Sequence, residues 1–258
     1  MSARNIAIPL GTLLALLVLW EISVRAFGIP PQALPSPSLI LRTMADDASL
    51  LFNSLLVTLR IAFLALAIAA AAGIALAILF SLSRCAELAL FPLAVILQVT
   101  PVIAIAPLLI VYMEPDNAVL ACAALVAFFP VLSNTALGLA SADRQLRDLF
   151  ALYDAPSWKE ILWLRLPAAL PHIFGSLRIA GGLALVGAVV GEIAAGSAGA
   201  GSGLAWRIME AGHRVNIPRM YAALLLLALA GVAIFALFSW LQNLALRRWH
   251  PSESRETT

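Results

Sequence analysis

Residues 57–82 read VTLRIAFLALAIAAAAGIALAILFSL, and the only charge among them is Arg60. A bilayer core about 30 Å thick is crossed by a helix of about 20 apolar residues. This stretch is therefore a membrane helix. Five more runs of the same kind lie at 5–27, 89–113, 118–139, 172–196 and 219–244. The composition agrees: 62% of the 258 residues are hydrophobic and 12% charged, against about 45–50% and about 25% in a soluble domain. Six spans leave loops too short for a separate soluble domain. The expectation is an all-α polytopic membrane protein with six transmembrane helices, one domain over 1–258 with its core at about 50–245.

Basic residues set the orientation. With the N-terminus inside, Arg4, Arg84, Arg144, Arg147, Lys159, Arg165, Arg178, Arg247, Arg248 and Arg255 are cytoplasmic, and Arg25, Arg42, Arg60, Arg207, Arg214 and Arg219 are external. That excess favours cytoplasmic N- and C-termini, with the Arg247-Arg248 doublet as its clearest element. The first run, Ile6 to Trp20 behind Arg4, has the outline of a signal peptide, but it continues to Phe27 with no small-x-small site after it. Cys85 and Cys122 fall on opposite sides of the core and read as free thiols. No basic run interleaved with aromatics points to a nucleic-acid partner.

Prolines and glycines shape the spans. Pro30, Pro31, Pro35 and Pro37 make a stiff extended connector, followed by a short amphipathic helix from about Ser38 to Asn53. Pro92, Pro101 and Pro107 in the third span and Pro130 in the fourth predict kinks; kinked helices line cavities, and membrane helices also carry proline for no such purpose. Gly187 and Gly191 are spaced for close helix packing, with Gly181, Gly182 and Ala195 on or near that face; the spacing leaves open whether the partner helix belongs to the same chain or to a second copy.

The polar stretch from Ser141 to Pro171 is the one cytoplasmic connection longer than a turn. Asp143 is placed to cap a first short helix whose Leu146, Leu149, Phe150 and Tyr153 make an apolar stripe. Asp154-Ala155-Pro156 ends it. Ser157 and Glu160 match a capping box for a second helix carrying Trp158, Ile161 and Leu162, closed by Leu166-Pro167, and Pro171 resets the chain into the fifth span. Such a pair either lies in the lipid interface or docks into a partner's groove.

The chain lacks the parts for catalysis. Its single lysine, Lys159, follows Trp158, so no phosphate-binding G-x-x-x-x-G-K-[ST] loop is present, and Gly199-Ala200-Gly201-Ser202-Gly203 follows a membrane span rather than a strand. His172, His213 and His250 lack metal spacing, and no metal site is expected. Polar residues at membrane depth are the candidates for a solute path: Gln98, Thr100 with Pro101, Ser133, Asn134 and Glu192. Gln98, Thr100, Ser133 and Asn134 also suit a helix–helix hydrogen bond, and Glu192 a structural pairing or exposure to headgroups. Arg178 is placed to reach the cytoplasmic surface.

The segment from Asp148 to Pro171, DLFALYDAPSWKEILWLRLPAALP, resembles the cytoplasmic signature of binding-protein-dependent ABC importer permeases, which reads Glu-Ala-Ala, three residues, Gly, nine residues, Ile-x-Leu-Pro. Asp148 falls at the glutamate, Asp154 at the glycine, and Leu164, Leu166 and Pro167 at the end. Leu34-Pro35-Ser36-Pro37-Ser38, Thr100-Pro101 through Pro107-Leu108, Phe129-Pro130 through Asn134-Thr135, Gly175-Ser176-Leu177-Arg178 and Gly191-Glu192 are similar, in order, to the nitrate, sulfonate, taurine and pyrimidine-precursor branch.

The resemblance implies a type I importer permease fold in the inner membrane and a homodimer with the path between subunits. It also implies cytoplasmic ATPase subunits that bind ATP and magnesium, none of which this chain holds, and a periplasmic or surface solute-binding protein docking around 28–56 and 197–218. Asp148, Phe150, Tyr153, Asp154, Ala155, Trp158, Leu164, Leu166 and Pro167 would then form the ATPase-docking loop. Leu149 and Phe150 replace the two small residues, and Asp154 the glycine. The rival class is a self-sufficient secondary transporter or channel, which calls for carboxylate or histidine relays and an inverted repeat; the sequence offers one intramembrane carboxylate and no clear repeat.

Overall fold

A computed structural model describes residues 3–196 and 201–246. The Arg247-Arg248 doublet, His250, Arg255 and the start of the glycine-rich loop at Gly199 lie outside the described residues. The described chain is helical: α1 (Ala3–Ala26), α2 (Pro37–Asp46), α3 (Ala48–Leu82), α4 (Arg84–Val99), α5 (Val102–Tyr112), α6 (Pro115–Ala140), α7 (Arg144–Leu152), α8 (Ser157–Glu160), a π turn at Ile161–Arg165, α9 (Leu166–Ala195), α10 (Leu204–His213) and α11 (Ile217–Leu246). Five stretches are long and apolar enough to cross a membrane: Ala7–Ala26, Ala48–Leu82, Pro115–Ala140, Ser157–Ala195 and Ile217–Leu246.

The sixth is not the kinked helix predicted at 89–113. It is two helices, α4 and α5, meeting at 100°. The cause is Pro101. Thr100 is extended (φ −74°, ψ 123°), as the residue before a proline prefers, and Pro101 has no N–H for the Leu97 carbonyl. The last bond of α4 runs from Thr100 N to Ile96 O and the first of α5 from Ala104 N to Pro101 O. Pro92, Pro107 and Pro130 sit inside continuous helices.

The contacts group into two compact units. The larger holds residues 58–196 and 230–246 among those described. Its centre is an antiparallel pairing of α6 and α9 through small residues. A Cβ built on Gly187 would stand 2.7 Å from Ala123 Cα, one on Gly191 2.9 Å from Val119 Cα, and one on Gly138 2.9 Å from His172 Cβ. The Gly187–Gly191 face therefore packs within this chain, so close that only glycine fits. Gly182 meets nothing within 4 Å and lies off that face. Around this seam Ala77, Phe80, Ala94, Leu132, Leu139 and Ile173 form one apolar cluster.

The smaller unit holds described residues 3–57 and 201–229. Ile40, Leu51, Leu204, Ala222 and Ala223 are its core, with Trp20 against Tyr221 at 6.1 Å between ring centres. Ser36 caps α2, and Glu21 accepts from Ser38 N (2.9 Å) and Ser38 Oγ (2.8 Å). The connector before it is not extended throughout: Ala33 and Leu34 N–H both turn back to Pro30 O. The helix predicted at 38–53 is likewise divided, since Asp47 ends α2 and α3 starts at Ala48. Asp47 instead grips Arg219 through both carboxylate oxygens, at 2.6 and 2.8 Å.

Candidate functional site

The segment after α6 is built as a capped elbow. Asp143 caps α7, accepting from Gln145 N at 2.7 Å. At the other end Ala155 N bonds Phe150 O (3.0 Å) and Asp154 N bonds Ala151 O (3.1 Å). That pair of bonds is a Schellman motif, which requires a left-handed residue between helix and loop. Asp154 supplies it at φ 47°. The position is the one where the importer signature has glycine, and aspartate fills it because its short polar side chain tolerates that region better than most.

The predicted capping box does not form. Pro156 is the N-cap of α8, Ser157 is already its first residue, and Pro156 O takes the first bond from Lys159 N (2.9 Å). Glu160 is drawn elsewhere: its Oε1 accepts from Arg165 Nε (2.7 Å) and Arg147 Nε (3.1 Å). Nor does the second short helix close at Leu166-Pro167. It runs through the π turn into α9 without a break: Arg165 (φ −72°, ψ −42°) and Leu166 (φ −66°, ψ −45°) keep right-handed helical backbone, and Pro167 follows as the second residue of α9. Pro171 is inside α9 and resets nothing.

The elbow exposes apolar side chains. No residue of α7 is buried. Leu149 is 45% exposed, Tyr153 76%, Trp158 59% and Trp163 71%. Phe150, Ala155, Leu164, Leu166 and Pro167 are half-buried and Asp148 is exposed. The docking residues read from sequence thus divide into an outward set around Tyr153 and Trp158 and an inward set, of which Leu166 packs on the cluster of the larger unit. Sequence reasoning missed Arg147, Glu160, Arg165 and Ser81, the last accepting from Arg165 Nη1 at 2.8 Å. No helical spacing rule pairs residues 5 or 84 positions apart.

The structure ties two of the path candidates to their own helices. Thr100 Oγ1 donates to Ile96 O (2.7 Å) and Asn134 Nδ2 to Pro130 O (2.8 Å). Gln98 and Pro101 are exposed beside the α4–α5 break. Glu192 is 4% exposed and accepts from Thr58 Oγ1 at 2.7 Å. An apolar groove of about 330 Å³ between α3 and α6, lined by Ile68, Ala72, Ala121, Leu125 and Phe128, includes none of them. The Arg178 guanidinium lies over the Phe235 ring at 5.1 Å, a cation–π contact.

In the smaller unit, Arg207 reaches Ser54 Oγ (3.1 Å) and Glu210 (2.9 Å), and Arg214 reaches Glu210 (2.9 Å). The Arg207 hydrogen bond holds the Glu210 carboxyl below the usual carboxylate range against partial burial, and Arg214 adds to it. These contacts bring together parts of the two segments, 28–56 and 197–218, expected to meet a receptor. Among the described residues no cluster of metal-ligating side chains occurs.

Known proteins place the chain. It is 37% identical over 237 residues, 90% of this chain and 92% of the other, to the formylaminopyrimidine transport permease protein ThiX of Halalkalibacterium halodurans. It is 36% identical over 244 residues, 93% and 89%, to the riboflavin transport system permease protein RibX of Chloroflexus aurantiacus. A solved chain from an amino acid ABC transporter with histidines has the same fold, with a TM-score of 0.64 at 18% identity over 80% of this chain and 96% of that one. The family model for the binding-protein-dependent transport system inner membrane component matches residues 69–251. With the broken span, the small-residue seam and the capped elbow all inside that match, the chain belongs to this family: it is a non-catalytic, multi-pass inner-membrane permease subunit of a binding-protein-dependent ABC transporter.

Proposed function

We propose that two copies of this chain form the path for a small heteroaromatic vitamin precursor of pyrimidine type, driven by cytoplasmic ATPases seated on residues 141–167. ATP and magnesium bind those ATPases. The observation that carries the docking is the elbow itself: a capped turn that holds Leu149, Tyr153 and Trp158 outward with no cover among the described residues. An apolar helix face of this kind fits a groove in a partner. Both termini are cytoplasmic, and the receptor docks on the external segments around 28–56 and 201–218. The path runs beside the α4–α5 break, since irregular backbone at membrane depth is tolerated where protein or a water-filled cavity covers it.

The solute class is supported by ThiX and RibX, whose named solutes are both nitrogen heterocycles. Inorganic nitrate and small sulfonates are the competing class. Two experiments test the reading. ATPase co-purifies with the wild-type chain and is lost from the Leu149→Ser/Trp158→Ala chain, whose thermal midpoint stays unchanged because both residues are exposed; retention of the ATPase overturns the docking. Proteoliposomes holding permease, ATPase and receptor accumulate labelled formylaminopyrimidine and not taurine or nitrate; the reverse preference overturns the solute class.

A further inference from the structure

Glu160 and Arg165 are five residues apart, a spacing that an α-helix does not bring together. At 3.6 residues per turn, five residues leave two side chains roughly 140° apart around the axis. A π turn closes its bonds from i to i+5 and so brings residues five apart much nearer to one face than an α-helix does. The chain makes such a turn at Ile161–Arg165, with Leu166 N bonded to Ile161 O. There Arg165 Nε reaches Glu160 Oε1 at 2.7 Å. The ion pair closes across the π turn.

The pair also joins three elements. The same Glu160 oxygen accepts from Arg147 Nε on α7 (3.1 Å), and Arg165 Nη1 donates to Ser81 Oγ near the end of α3 (2.8 Å). The side chains of Arg165 and Glu160 are only 15% and 19% exposed, so salt screens these bonds less than an open surface pair.

We propose that Arg165 is a positioning residue for energy coupling: it clamps the docking elbow to the end of α3, so that a displacement imposed on α7 and α8 carries α3 with it. The clamp rests on the docking reading above. Without the guanidinium, the wide turn is free to return to α-helical register, which rotates α8 against α9 by about one residue, roughly 100°. Docking then persists while the motion stops at the turn.

The test uses spin labels at Gln145 on α7 and Leu82 at the end of α3, both exposed, in a chain carrying Cys85→Ser and Cys122→Ala. Separations are measured in the permease–ATPase complex in nanodiscs, without nucleotide and with ATP plus vanadate. With Arg165 present, one narrow separation is expected in both states. In the Arg165→Gln chain the ATPase stays bound, while the separation broadens and shifts with nucleotide. A narrow, nucleotide-independent separation in Arg165→Gln overturns the clamp. Should that chain fail to fold, Ser81→Ala severs only the α3 end and gives the same broadening, and a narrow separation there overturns the clamp equally. Loss of the ATPase from the unsubstituted chain strikes at docking alone; a narrow separation in the Arg165→Gln chain strikes at the clamp alone.

Discussion

Thr58 Oγ1 donates a 2.7 Å hydrogen bond to Glu192 Oε1, joining residues 134 positions apart on α3 and α9, both of them buried. A carboxylate at membrane depth is costly unless its oxygens are satisfied. Here it ties one helix to another, beside the glycine seam that holds α9 on α6. Glu192→Ala leaves a buried hydrogen bond unmade and is expected to cost about 1–3 kcal/mol, while Glu192→Gln, which keeps an acceptor, costs less. Thermal unfolding in detergent or nanodiscs checks the order; equal midpoints for the two variants contradict it.

The glycine seam makes a second prediction. Any side chain at Gly187 must displace backbone, because its first carbon would stand 2.7 Å from Ala123 Cα. Gly187→Leu is expected to cost about 1–3 kcal/mol by overpacking. Gly182→Leu, with nothing within 4 Å, leaves the midpoint of the isolated chain in place. Thermal scans of the pair separate intrachain packing from a general intolerance of bulk.

Asp154 carries a left-handed strain that glycine does not feel. Asp154→Gly is expected to leave stability unchanged or raise it by up to about 1 kcal/mol, and Asp154→Val to lower it by about 1–2 kcal/mol. Chemical denaturation of the solubilised chain reads both.

Glu210 gives a pH dependence. Its folded pKa is lowered by Arg207 and Arg214, so the stability it contributes is present above the unfolded carboxylate pKa of about 4.3 and is lost as pH falls through the folded value. The thermal midpoint of the wild-type chain is expected to fall further on acidification through this window than that of Glu210→Gln. Parallel curves for the two contradict the assignment.

Much of this was legible from residues alone, and what was not has identifiable causes. Apolar run length located the five continuous spans because the bilayer imposes it, and Asp143 and Asp154 announced the ends of α7 because capping is local chemistry. The outcome at Pro101 was not legible: Pro92, Pro107 and Pro130 are equally proline, yet all three sit inside continuous helices. The Ser157–Glu160 capping box failed because Arg165, brought round by a π turn, competes for the same carboxylate. Ser81 belongs to that network across 84 positions, a distance at which no local pattern signals contact. The partner of the Gly187–Gly191 face needed the fold as well, since small-residue spacing is the same for a helix within the chain and one outside it.

In the proposed function the elbow of α7 and α8 faces the cytosol, where an ATPase can reach it. A single thiol at Ser157, exposed at the start of α8, in a chain with Cys85→Ser and Cys122→Ala, reports this directly through an impermeant maleimide. Labelling in inside-out vesicles, blocked when the ATPase is bound, and none in intact cells is the predicted result; labelling from outside intact cells would contradict it.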